Sequence, residues 1–218
     1  MVFLMSRCLI LANGILPSLD AARRILRPDD FILCADGGTR HALDLGLVPS
    51  IVIGDLDSIS EEERSRLDGV QLMQFPRDKD ETDLELALNY AIERGFDEIV
   101  IVAALGGRLD QTLANLALVS AARRPSLVTR IDDGLESARF CRDAVQVEGR
   151  SGDLVSLIPW GGEVRGVRTE GLRWPLSNET LLPHETRGVS NEMTGAAARV
   201  EVESGLLLVV HRRRNLES

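Results

Sequence analysis

Residues 54–58, Gly-Asp-Leu-Asp-Ser, follow the apolar run SIVI and place Asp55 and Asp57 two residues apart. In an extended chain, residues i and i+2 project to the same side, so both carboxylates would aim at one point. Like charges gathered at the end of a buried segment repel each other and lose hydration, and a shared divalent cation would offset both costs. A sparse set of carboxylates suits Mg²⁺, which keeps several waters and takes substrate phosphate oxygens as its remaining ligands. The competing use is local: Asp55 and Ser58 can form an Asx turn and cap a following helix.

Three more clusters share this placement beside a strand or helix end: Asp36-Gly37-Gly38, the run RDKDETD at 77–83, and Gly106-Gly107-Arg108-Leu109-Asp110. Acids in a first helical turn are favoured by the macrodipole alone. Around Asp80, however, Asp78, Glu81 and Asp83 crowd together with only Arg77 and Lys79 as local counter-charge, so Asp80 and Asp83 join the metal candidates. Gly37-Gly38 and Gly107 leave backbone N–H groups open to an anion. Arg108 offers a planar fork for phosphate or carboxylate, or else simply pairs with Asp110.

The elements that must position these groups follow from hydrophobic periodicity. Apolar runs at 8–12, 31–35, 50–54, 70–75 and 98–105 read as strands. Helical spacing appears at 18–26, 39–46, 60–68, 82–94 and 110–124, with Ser18 as an N-cap, Gly46 and Gly95 as stops, and Thr82 with Glu85 as a capping-box pattern. Strands apolar throughout, alternating with amphipathic helices, predict a mostly parallel, Rossmann-like α/β domain over 1–134, whose ligands bind at the carboxyl ends of the strands. From 135 to 218, short valine-rich segments separated by glycines predict an all-β antiparallel sandwich, with Val200 and Val202 alternating against Glu201 and Glu203.

With 25 Lys+Arg against 34 Asp+Glu, the net charge of −9 argues against nucleic acid as a partner. Cys8, Cys34 and Cys141 are too scattered for a metal site and are expected as free thiols in a reducing compartment. The start MVFLMSRCLI lacks a signal-peptide pattern and no apolar run approaches ~20 residues, so a cytoplasmic protein without membrane contact is expected. His41, His184 and His211 lack partners at ligand spacing.

Taken in order, CADGG (34–38), GDLDS (54–58), DKDETDLELAL (78–88), GGRLDQTLANL (106–116), VSLIPW, GLRWPL and GVSNEMTG resemble the thiamine pyrophosphokinase family over nearly the whole chain. The resemblance implies a homodimer with active sites at the subunit interface, transferring the pyrophosphoryl group of ATP to the hydroxyl of thiamine. It implies that Asp55, Asp57, Asp80 and Asp83 hold Mg²⁺ and thereby the ATP phosphates. Asp36, Arg108, Asp110 and Gln111 would line the region where nucleotide and acceptor meet, and Trp174, Ser190 and Asn191 the thiamine side. Family members often carry histidine where this chain has Gln111, so that position receives no acid–base role, and Lys79 is left outside the site. Asp36 and Asp110 are both candidates to accept the hydroxyl proton. A metal-dependent phosphohydrolase with an aspartyl nucleophile and a non-catalytic nucleotide or thiamine sensor are the competing readings.

Overall fold

The computed structural model describes residues 6–121 and 126–214. The chain divides into two compact units, Met1–Gly134 and Leu135–Ser218. Among the described residues of the first unit, β1 (Arg7–Leu11), β2 (Phe31–Ala35), β3 (Ile51–Gly54), β4 (Gln71–Gln74), β5 (Glu98–Val102) and β6 (Val128–Asp132) alternate with five helices. These are α1 (Leu19–Arg23), α2 (Gly38–Leu45), α3 (Glu61–Ser65), α4 (Asp83–Glu93) and α5 (Leu109–Ala121). The strands pair in parallel in the order β6-β5-β1-β2-β3-β4. β1, β3 and β5 are buried along their whole length, which is why they read as unbroken apolar runs. The chain winds outward from β1 to β4 and then returns to β5 on the other side of β1. That reversal opens a crevice at the carboxyl ends of the central strands.

Helix ends follow their capping residues. Ser18 Oγ accepts from Ala21 N–H, yet α1 stops at Arg23 rather than Leu26. Arg24, Ile25 and Leu26 each donate to the carbonyl three residues back, the tight last turn of a chain approaching Pro28. Around α3 the reciprocal capping box is made by Ser60 and Glu63. At α4 only half of the expected box forms, with Thr82 Oγ1 accepting from Glu85 N–H. The expected extension of α5 through Arg124 to Pro125 lies outside the described residues, as does the segment MVFLM.

β6 escapes the apolar-run rule because Arg130 and Asp132 replace hydrophobics on it. The reason is an ion network near the amino ends of the strands. Arg7, buried at the start of β1, makes a two-bond fork to Asp30 at 2.6 and 2.7 Å. Glu98, paired in register with Arg7, accepts from Arg27 at 2.7 Å and from Arg130. Burial alone would push the Glu98 carboxyl up, but the Arg130 and Arg27 guanidiniums more than reverse this and hold it below its ordinary value.

The second unit contains β7 (Glu136–Cys141), β8 (Ala144–Glu148), β9 (Leu154–Pro159), β10 (Val164–Glu170), β11 (Ser177–Leu181), β12 (Asn191–Glu192), β13 (Ala197–Glu201) and β14 (Leu207–Arg212). β12, β9, β14 and β7 pair antiparallel in that order, and β11, β10, β13 and β8 form a second antiparallel sheet. Val155, Leu157, Leu207 and Val209 from the first sheet share one core with Val147, Val164, Val167 and Val200 from the second, as in a sandwich. Cys8, Cys34 and Cys141 are all buried and unbridged. Burial pushes the Cys8 thiol up to about 12 and that of Cys141 to about 11. Among the described residues no helix is long and apolar enough to cross a membrane.

Replacing Glu98 with Gln leaves Arg130 its longer contact with Asp132 but removes its closest anionic partner and weakens Arg7, and should cost about 3 kcal/mol in urea denaturation at neutral pH. Because the Glu98 pKa lies below its usual 4.5, its contribution is complete above that pH and disappears as pH falls through the depressed value. The gap between wild type and Glu98→Gln should therefore close in acid; a gap that persists would place the stabilisation elsewhere.

Candidate active site

The crevice at the carboxyl ends of β1, β2, β3 and β5 is a cleft of about 580 Å³ within the first unit. Asp36 enters it directly after β2, with its backbone in the left-handed region at φ 42°. Its N–H donates to Ile53 O at 2.8 Å, and its carbonyl accepts from Thr39 N–H and Thr39 Oγ1, which tie the first turn of α2 to it. Gly37 and Gly38 are buried and do not line the cleft. A Cβ on Gly38 would sit 1.9 Å from Leu11 O, so this glycine lets α2 start against the end of β1.

The Asp55–Asp57 pair converges by a different route from the extended one the spacing suggests. Leu56 takes a left-handed φ of 65° with its side chain buried, and Asp57 N–H donates to Asp55 Oδ1 at 3.1 Å. The Asx turn and the convergent carboxylates are thus the same structure. One oxygen each from Asp36, Asp55 and Asp57 lies within 4.8 Å of the others. Gly54 forms the floor: a Cβ there would come within 2.7 Å of Asp36 Cβ and 3.2 Å of Asp83 Cγ.

Asp83 is the first residue of α4, where Thr82 caps the helix and the macrodipole favours a carboxylate. Its pKa is nevertheless raised, first by burial and then by Asp36 and Asp55, against the opposing pull of Lys79. Lys79 Nζ lies 2.8 Å from Asp83 Oδ1, an ion contact without hydrogen-bond alignment. Asp80 is exposed and outside the cleft lining. Arg108, Gly107 and Gln111 line the cleft, whereas Asp110 stands beside it with both oxygens held by Arg108 at 3.1 and 2.5 Å. That exposed pair raises the Arg108 pKa and lowers that of Asp110. The lining also includes Lys79, which the sequence reading leaves outside the site, and Asn13 and Asn115, to which it gives no role, as it gives none to Gly54. The first was visible in the acidic run as its counter-charge, and the last as the letter before Asp55.

These residues fit a hard divalent cation. Asp36 Oδ1 is buried with no hydrogen-bond partner, the neighbouring donors are carboxylate oxygens, and Gly54 lets Asp36 and Asp83 close in on the end of β3.

In the second unit, Asn191 is buried at the start of β12 and clamps the backbone of Trp174. Its Nδ2 donates to Trp174 O at 2.7 Å, and its Oδ1 accepts from Trp174 N–H and Glu192 N–H. Both lone pairs of Oδ1 are spent, and one N–H of Nδ2 is left to offer a ligand. Trp174 is 49% exposed, and its ring carries the Arg173 guanidinium 4.9 Å from the centroid. Trp174 and Asn191 border a concavity of about 190 Å³. Ser190 lies outside its lining, with a left-handed φ of 58° and its N–H donated to Ser156 Oγ. His41 and His211 have hydrogen-bond partners in Gly14 O and Asp153, and His184 is exposed.

Gly54→Ala should move Asp36 or Asp83 aside, cost about 1–3 kcal/mol from overpacking, and weaken binding of Mn²⁺, a paramagnetic stand-in for Mg²⁺. Unchanged Mn²⁺ affinity in a folded variant would separate Gly54 from the ion site.

Residues 22–131 match the family model for the thiamin pyrophosphokinase catalytic domain, and residues 144–207 that for its vitamin B1 binding domain. Thiamine pyrophosphokinase of Bacillus subtilis is 30% identical over 179 residues, covering 80% of this chain and 84% of that protein. Thiamine pyrophosphokinase 2 of Arabidopsis thaliana is 28% identical over 207 residues, covering 82% and 76%. The crystal structure of the B. subtilis protein superposes with a TM-score of 0.87 at 26% identity, over 96% of this chain and 100% of that one. A thiamin pyrophosphokinase family protein of Enterococcus faecalis gives 0.79 at 27%, over 96% and 100%. With acidic strand ends in one unit, the Trp174–Asn191 clamp in the other, and matches that cover most of both, this chain belongs to the thiamine pyrophosphokinase family.

Proposed function

We propose that the protein transfers the pyrophosphoryl group of ATP to the primary hydroxyl of thiamine, giving thiamine diphosphate and AMP, with Mg²⁺ at the acidic cleft. Family membership supports the reaction. The observation that supports the ion is the meeting of Asp36, Asp55 and Asp57, with Asp36 Oδ1 buried and unpartnered beside Asp83.

In this reading the thiamine hydroxyl oxygen forms a bond to the β-phosphorus of ATP. The bond from that phosphorus to the oxygen bridging the α-phosphate breaks, that oxygen leaves with AMP, and the hydroxyl proton passes to solvent water. Such a transition state is loose, so positioning and charge neutralisation matter more than a strong base. Bound Mg²⁺ supplies charge neutralisation between carboxylates and phosphate oxygens, which would otherwise repel. Asp36, Asp55, Asp57 and Asp83 are the residues proposed to hold it. Arg108 and the N–H groups near Gly107 are proposed to orient the phosphates. In the second unit, Trp174 offers a flat face for the aromatic thiamine rings, and Asn191 fixes that face and contributes its remaining N–H. A homodimer with active sites at the subunit interface, acting in the cytoplasm, completes the proposal.

Incubation with ATP, Mg²⁺ and thiamine should yield AMP and thiamine diphosphate in equal amounts, and EDTA should stop the reaction. Asp55→Asn should lower turnover at least ~100-fold, the scale of losing a positioned charge at a transition state. Inorganic phosphate with an aspartyl-phosphate adduct would favour the hydrolase instead, and binding without AMP would favour a sensor. Asn191→Ala should raise KM for thiamine and leave KM for ATP near wild type, as measured by initial rates.

A further inference from the structure

Of the three cations lining the cleft among the described residues, two have solvent-facing positions. Arg77 is 83% exposed and lies 3.4 Å from Asp57, a contact worth little at the surface. Arg108 is committed to Asp110. Lys79 differs: its side chain is only 12% exposed, and its ammonium sits 2.8 Å from Asp83 Oδ1, a buried oxygen with no hydrogen bond of its own. It also donates to Pro76 O at 3.3 Å, within the segment that leads from β4 to α4. That segment is tied to the site at both ends, by Phe75 N–H on Gly54 O and by the Thr82 cap.

Asp83 and Asp36 both border Gly54, and a divalent ion that engages Asp83 must displace or repel this ammonium. A lysine head is a compact point charge on a flexible four-carbon stem, able to leave one anion for another without moving its backbone. Once a divalent cation occupies the carboxylates of the cleft, nucleotide phosphates are the anions left for the ammonium to meet.

We propose that Lys79 is the resident counter-ion of the acidic cleft, holding Asp83 in the ligand-free protein and passing to the transferred phosphoryl oxygens when a divalent cation takes Asp83. The hand-over rests on the pyrophosphoryl-transfer reading; the counter-ion role does not. Lys79 forms no bond to phosphorus and moves no proton. Its ammonium stays paired with an anion in both states, first a carboxylate and then a phosphoryl oxygen.

The test uses the full-length protein in two arms. In the first, Mn²⁺ alone is titrated and free Mn²⁺ read by electron paramagnetic resonance. Lys79→Gln should bind Mn²⁺ about 10-fold tighter than wild type, because no ammonium competes for Asp83, whereas Lys79→Arg, which keeps the charge, should stay within about 3-fold. In the second arm, Lys79→Gln should lower kcat about 100-fold at saturating ATP and thiamine, with KM for thiamine within about twofold of wild type. A purely structural lysine would not give tighter metal binding together with slower turnover. Equal or weaker Mn²⁺ affinity in Lys79→Gln, with Lys79→Arg folded and equally unchanged, overturns the counter-ion. Tighter Mn²⁺ binding with unchanged kcat overturns the hand-over. A wild-type protein that makes no AMP overturns the functional reading and the hand-over with it, and the Mn²⁺ arm still decides the counter-ion role.

Discussion

Mutual repulsion among carboxylates at the carboxyl edge of the parallel sheet governs the architecture around it. Asp36, Asp55 and Asp57 are held within reach of one another in a chain already carrying −9. Nothing in local propensity favours this. Asp36 and Leu56 both adopt left-handed backbone, at of order 1 kcal/mol or more each for residues that are not glycine. Thr39, the Ile53 carbonyl and the burial of Leu56 hold those conformations in place. An arrangement that costs conformational energy to assemble like charges makes physical sense when a cation completes it.

The two ends of the same sheet treat charge in opposite ways. Near the amino ends, Glu98 and Asp30 meet Arg7, Arg27 and Arg130 in a network whose members largely satisfy one another. Its carboxylate is accordingly driven toward the ionised form. At the carboxyl ends the acids outnumber the shielded cations, and Asp83 is driven the other way. One end is an anchor of paired charges and the other an open electrostatic demand. Placing the demand at the reversal of strand order also gives it the concave space that helix starts and strand ends leave there.

What the sequence made legible was whatever obeyed a period or a boundary. Unbroken apolar strands, amphipathic helices and their Ser and Gly caps could be read directly, and so could the clustering of acids at strand ends. β6, β7 and β11 were not, because VTRID, ESARFC and SNETL satisfy their backbones in sheets while carrying polar side chains that break the hydrophobic signal. The Asx turn at Asp55 was weighed as an alternative to a converging pair, although Leu56 makes the two compatible. That depends on a φ angle no spacing rule contains. Gly37-Gly38 suggested an anion cradle, but the structure spends Gly38 on contact with β1, a long-range approach invisible along the chain. Nothing along the chain marks Lys79 for the site; only the fold shows that it, and not Arg77, is shielded against the acids.

The buried thiols have a consequence of their own. Cys8 and Cys34 sit in adjacent strands of the first unit and Cys141 in the core of the second, all protonated and inaccessible at neutral pH. An alkylating reagent can therefore modify only molecules that have opened. The chain carries a built-in clock for unfolding, with two hands in one unit and one in the other, so the order in which the units come apart is written in which cysteine is tagged first.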